Sequence, residues 1–123
     1  MNITTVDPAG RAAVVPSAPP EGPVTLVNCF VVEPERDDAF LDLWKATSEY
    51  FRSQPGFVSL RLHHALSPAA PYRFVNVANW ASAAEFQAAH QKPEFFQVVG
   101  QPAWQEFPSA PALYEVVVEH QAG

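Results

Sequence analysis

Tyr72-Arg-Phe-Val-Asn-Val-Ala-Asn-Trp80 is the stretch on which the fold turns. Its β-branched and aromatic residues predict a strand, and on a strand residues two and four apart share a face. Tyr72, Phe74, Asn76 and Trp80 therefore point one way. An amide on such a face is expensive, because a buried polar group without a partner costs roughly 1–3 kcal/mol. It persists where a neighbour satisfies it or where a ligand does. Asn76 thus either pairs with nearby backbone and fixes register, or faces a bound molecule. Trp80 is either a core residue whose indole N–H has found an acceptor, or a wall that stacks on a planar ligand.

Upstream, Phe57–Leu66 alternates, with Val58, Leu60 and Leu62 on one face and Ser59, Arg61 and His63 on the other. Ser67-Pro-Ala-Ala-Pro71 joins the two strands as a hairpin connection. Downstream, Ser82-Ala-Ala-Glu85 is a capping-box pattern that opens a helix running to about Gln91. Pro93 breaks it, a short helix through Phe95, Phe96 and Val99 follows, and Gly100-Gln-Pro102 ends that. Trp104–Pro111 reads as a loop and Ala112–His120 as a last strand.

Further upstream, Val24-Thr-Leu-Val-Asn-Cys-Phe-Val-Val32 is apolar on both faces and reads as a central strand. It carries Asn28, with the same two explanations as Asn76, and Phe30 on the same face. Pro34 suits a first helical turn, and Glu35, Asp37 and Asp38 place negative charge at the positive end of a helix. Phe40, Leu43, Trp44, Thr47 and Phe51 form its apolar stripe. Gln54-Pro-Gly-Phe57 stops the helix in a type II turn.

The order strand, helix, strand, strand, helix, strand predicts an α+β, ferredoxin-like sandwich whose four-stranded antiparallel sheet has helices on one face. In that order the first and third strands are neighbours, so Asn28 and Asn76 converge. Strands 24–32 and 113–118 are apolar on both faces, so the bare side of the sheet needs a cover. A second copy of the chain is the simplest one, which predicts a homodimer.

Residues 1–23 hold five of the 13 prolines and show no periodicity. They read as an extended Pro/Ala-rich arm ahead of a single domain at 24–123, lying across the partner subunit or the pocket mouth. The chain has 123 residues, 48% of them hydrophobic, enough for a real core. With a net charge of −6, two lysines (Lys45 and Lys92) and no basic stripe, nucleic acid and anionic membrane are poor partners. The single cysteine, Cys29, excludes an intrachain disulfide and a paired-cysteine metal site. No signal-peptide pattern and no apolar run near the ~20 residues of a membrane span are present, so a soluble cytoplasmic protein is expected.

His63 and His64 are adjacent and face opposite sides of a strand, His90 lies one turn after Phe86, and His120 is near the end. No carboxylate sits at ligand spacing to them, so no metal site is expected. No Gly-rich phosphate loop, nucleophile elbow or Ser/His/Asp arrangement can be placed.

Pro23-Val-Thr-Leu-Val-Asn-Cys-Phe30, Gln54-Pro-Gly-Phe57, Phe74-Val-Asn-Val-Ala-Asn-Trp80 and Lys92-Pro-Glu-Phe95 together resemble the antibiotic biosynthesis monooxygenase family, over about residues 22–120. The resemblance implies a dimeric ferredoxin-like fold with a pocket between sheet and helices. In the branch that oxygenates polyketide anthrones, it assigns catalysis to the positions of Asn28, Asn76 and Trp80. It also implies a small aromatic substrate, O₂ and no cofactor, in secondary metabolism. In the haem-degrading branch a histidine after the second helix ligates iron. Here Phe95-Phe-Gln-Val-Val-Gly100 has none and His90 precedes it. A small-molecule or haem binder without turnover and an accessory structural dimer are the alternatives. Beside the three catalytic positions, Phe30, Tyr72, Phe74, Phe86, His63, His64 and His90 are the candidate pocket residues. Asparagine cannot act as a base, so His63, His64, His90 or water is left to take a proton.

Overall fold

The computed structural model describes residues 2–6, 12–99 and 102–123. Its strands are β1 (Asn2–Val6), β2 (Ala12–Pro16), β3 (Val24–Phe30), β4 (Phe57–His64), β5 (Phe74–Trp80) and β6 (Ser109–Tyr114). Its helices are α1 (Asp37–Arg52) and α2 (Ala83–Ala89). β3 to β6 form a four-stranded antiparallel sheet in the order β4-β5-β3-β6, the ferredoxin-like arrangement expected. β1 and β2 pair antiparallel as a separate two-stranded sheet within the N-terminal segment.

Local chemistry explains the joints. A single turn over Pro34–Arg36 leads into α1, whose buried residues are Phe40, Trp44, Thr47 and Tyr50. In the turn after α1 the Phe57 amide donates to the Gln54 carbonyl at 3.2 Å, and Gly56 has φ +83°. Only glycine adopts that angle without strain, and a Cβ there would lie 2.4 Å from Glu85 Cδ. The Ser82 hydroxyl accepts from the Glu85 amide at 3.2 Å and donates to its carboxylate at 3.0 Å, so the capping pair forms. The Tyr50 hydroxyl donates to the Ala89 carbonyl at 2.5 Å and ties α1 to the end of α2.

The alternating inner face of the sheet meets the helices. Phe30, Phe40, Trp44, Phe74, Trp104 and Phe107 make one aromatic cluster. Val24, Ala78, Trp80, Ala83, Phe86 and Ala89 make a second, joined by Ala13 and Val15 from β2.

Besides the N-terminal segment, expected as an extended arm and found to hold the β1–β2 pair, three element assignments change. A bulge at Val58 shifts the β4 register, so Phe57 lies opposite Trp80 while Ser59 lies opposite Asn79. Phe57 therefore joins the inner face with Leu60, and Val58 is exposed. The last strand is Ser109–Tyr114, not 112–120, because Thr25 already lies opposite Tyr114 and β3 offers only one more residue. Val116, Val117 and Val118 are left exposed. Trp104 and Phe107, expected in a loop, are buried at and just after a 3₁₀ turn over Pro102–Glu106, packed against Phe40. After α2 the chain makes a π-helical turn over Phe95–Val99, and Gly100 and Gln101 of the expected helix stop lie outside the described residues.

Candidate active site

Asn28 and Asn76 lie directly opposite each other across the β3–β5 pair, and Trp80 lies opposite Val24 two pairs of same-face residues further along. All three point to the helix side and are sealed from solvent, the asparagines at 4% exposure and the tryptophan at 1%. Asn28 Oδ1, Asn76 Oδ1 and Trp80 Nε1 are buried without a hydrogen-bond partner among the described residues. Native folds leave few such atoms, and three of them line one cavity. Turning an amide over exchanges its acceptor for its donor, so each asparagine can offer a ligand either.

The rest of the lining is almost wholly apolar. It comes from β3 (Leu26, Phe30), α1 (Trp44, Thr47, Phe51), β4 (Phe57, Leu60), β5 (Ala78) and α2 with its cap (Phe86, His90). Ala13 and Pro111 complete it. The Trp80 indole is framed edge-on by Phe51, Phe57 and Phe86, at ring-centre distances of 6.0, 5.4 and 5.7 Å. These contacts fix the plane of the indole and the direction of its N–H. The cavity has a volume of about 30 Å³, room for two or three waters. A cavity of about 150 Å³ accepts benzene, so a fused-ring ligand enters only as wall residues move apart.

His90 caps α2. Its backbone amide donates to the Gln87 carbonyl at 3.1 Å, and its ring Nδ1 lies 2.8 Å from the Phe86 carbonyl. Phe51, Phe86 and Phe95 surround the ring at 4.9, 4.3 and 5.2 Å. Burial among them pushes its pKa down to about 4, against the smaller upward pull of the Phe86 carbonyl.

Of the pocket residues expected from sequence, Phe30, Phe86 and His90 line the cavity with Asn28, Asn76 and Trp80. Tyr72, Phe74, His63 and His64 do not. Tyr72 lies before β5 begins and is 37% exposed, so strand parity does not carry it inward. Phe74 is buried on the correct face but stacks on Phe40 in the neighbouring cluster, with ring centres 4.6 Å apart. His63 lies opposite Val75 on the outer face. His64 shares the inner face but sits at the strand end, 3.9 Å from Asp37. Arg73 grips the same Asp37 with two hydrogen bonds of 2.6 and 2.7 Å and holds its carboxyl below the usual range. Among the described residues no three His, Cys, Asp or Glu side chains gather as metal ligands.

Residues 23–101 match the antibiotic biosynthesis monooxygenase family. The chain belongs to that family. Tetracenomycin-F1 monooxygenase of Streptomyces glaucescens is 40% identical over 70 residues, 56% of this chain and 60% of that one, so the chain spans less than two thirds of that relative. SnoaB, a cofactor-independent oxygenase of Streptomyces nogalater, superposes with a TM-score of 0.65 at 27% identity, over 80% of this chain and 96% of its own. A proposed monooxygenase from Shewanella loihica PV-4 gives 0.69 at 35% identity, over 80% and 97%. The family match begins at residue 23, so Ala13 is a wall of the cavity contributed from outside the matched region.

Proposed function

We propose that this family member is a cofactor-independent monooxygenase acting on a hydroxylated, polyketide-like aromatic, an anthrone or hydroquinone, with O₂. The observation that carries this reading is the trio of unpaired buried atoms, Asn28 Oδ1, Asn76 Oδ1 and Trp80 Nε1, on one aromatic-walled cavity. Aromatic walls suit a flat ring system, and the amides and the indole suit its oxygen substituents. Tetracenomycin-F1 monooxygenase and SnoaB, both named as oxygenases, support the reaction class.

An anthrone or hydroquinone that loses a proton spreads the negative charge over fused rings. The anion passes one electron to O₂, and the two radicals combine to a peroxide. For an anthrone, loss of water then completes the change from CH₂ and O₂ to C=O and H₂O. In this reading Asn28, Asn76 and Trp80 are catalytic, holding the developing oxyanion with preorganised donors in a dry site. Phe30 and Phe86 hold the rings. The proposed unit is a homodimer joined through the outer face of the sheet.

Oxygen uptake with a panel of anthrones and naphthalenediols tests the reading. Substrate-dependent uptake with formation of the quinone is expected. No uptake across the panel overturns it, and a Soret band on adding hemin, lost on changing His90, would assign the cavity to haem instead.

A further inference from the structure

We infer that His90 is the base of this reaction, taking the substrate's proton on Nε2. The inference rests on the oxygenase reading and adds to it the residue that makes the anion. Asn28, Asn76 and Trp80 can bind an anion but cannot generate one, since neither an amide nor an indole accepts a proton near neutral pH. Among the described residues, His90 is the one titratable side chain in the cavity lining. Of the other histidines, His63 and His64 lie outside that lining and His120 is exposed beyond β6.

The local fold sets the ring's tautomer. At the tight last turn of α2 the His90 amide bonds to Gln87, which leaves the Phe86 carbonyl to the His90 ring. A carbonyl only accepts, so Nδ1 carries the proton and Nε2 carries the lone pair. The ring makes no second hydrogen bond among the described residues. The three phenylalanines fix the ring plane.

The surroundings hold the ring in its basic form. Of the titratable groups on the elements packed against it, Tyr50 on α1 commits its hydroxyl to the Ala89 carbonyl and Glu94 acts on Tyr50, while the remaining acids and bases of α1 and Glu85 of α2 do not shift His90. Among the described residues no charged group acts on the His90 ring, whose pKa is set by burial and by the Phe86 carbonyl, and burial keeps it neutral above about pH 4. A bound substrate changes this. The anion left by proton transfer is the missing countercharge, and its attraction is strong in a water-poor cavity.

In the step itself, the O–H bond of the phenol, or the ring C–H of its keto form, breaks. Its electron pair stays on the ring system, and the proton forms an N–H bond at Nε2. After the anion has given one electron to O₂ and the radicals have joined, the peroxide oxygen takes the proton back. Histidine therefore ends neutral, and O₂ is the only co-reactant.

The test is the full chain with His90→Gln. At pH 7, on a substrate neutral in solution, turnover should fall by about 10²–10⁴, the usual contribution of a positioned base. It should then climb with pH until the substrate ionises unaided, where variant and wild type converge. Added imidazole should restore part of the loss. Wild-type turnover by His90→Gln at pH 7, or an equal loss at every pH, overturns the inference. Uptake by the wild type then leaves the oxygenase reading standing, whereas absence of uptake by the wild type removes both. If His90→Gln does not fold, the wild type is titrated with a hydroxyanthraquinone that O₂ does not oxidise. The phenolate spectrum should appear on binding below the dye's solution ionisation, and binding as the neutral phenol overturns the inference.

Discussion

Asn76 Oδ1 has no hydrogen bond to lose, and that decides what its removal should do. Were the amide a register device paired with backbone, Asn76→Ala would strand a partner and cost about 1–3 kcal/mol. With Oδ1 unpaired, a change under about 1 kcal/mol is expected, together with a fall in turnover of about 10²–10³, the usual cost of one oxyanion donor. Trp80→Phe should behave alike, since it keeps most of the aromatic area among Phe51, Phe57 and Phe86 and loses the N–H. Melting temperature and oxygen uptake on the same two variants settle this; a large stability loss with unchanged turnover would make Asn76 structural. His90 adds a pH dependence of definite sign. Its pKa falls from 6.5 to about 4 on folding, so between these values the unfolded chain binds a proton that the folded chain refuses. Its contribution is complete above about pH 6.5 and shrinks by about 1.4 kcal/mol per pH unit as pH falls toward 4. Asp37, held low by Arg73, continues the loss in the same direction below its unfolded value of 3.8. Urea midpoints between pH 4 and 8 should show the first limb, and His90→Gln should flatten it.

At the scale of elements, the legible parts are those with local signals. The glycine of the Gln54–Phe57 turn, the Ser82 cap, the α1 stripe and the strands around both asparagines each depend on a few neighbouring residues, and each is found. What sequence reading missed depends on partners far along the chain. The valines at 116–118 have strand propensity, but β3 has no residues left to pair with them. The Val58 bulge turns Phe57 inward, and no alternation pattern announces a bulge. Trp104 and Phe107 are buried from a turn too short to show a period. The site divides in the same way. Its polar trio is visible as amides and indole on apolar strands, and Phe30, Phe86 and His90 are expected beside it, whereas Phe51 and Phe57 reach it only through the packing of α1 and the bulge. The N-terminal segment is the largest such case. Val15 is 1% exposed and packs in the Trp80 cluster although it precedes the family-matched residues. Val15→Ala removes two buried carbons, worth about 0.8 kcal/mol each, so a loss of about 1.5 kcal/mol is expected in chemical denaturation. A change below a few tenths would mean that β2 is detached in solution.

For the whole molecule, the outer face of the sheet poses the remaining question. Across its centre Val27 lies opposite Val77 and Cys29 opposite Val75, with Ala112 and Ala110 next to them on β6. The four central side chains are only partly buried within one chain. Polar groups sit toward the margin, where Asn79 bonds Thr25 and Ser59 at 3.1 Å and Arg61 and His63 rise from β4. An apolar centre inside a polar rim is the composition of a protein interface, and a stable one buries about 800 Å² per partner. Helices cover the other face, so in the proposed homodimer a second sheet of the same kind closes the core. Light scattering at micromolar concentration should give about 27 kDa, twice the 13.5 kDa chain. Val77→Asp would bury a charge in each half of that interface and should return the mass of a single chain with its helix content intact. Salt gives a second measure. Each chain carries −6, so a dimer gathers −12, twice −6, and its association is opposed by like charge. Raising ionic strength screens that repulsion, so an apolar interface should tighten with salt, whereas one built on ion pairs should loosen. A wild-type chain that stays monomeric under both conditions would leave the valine face to some other partner.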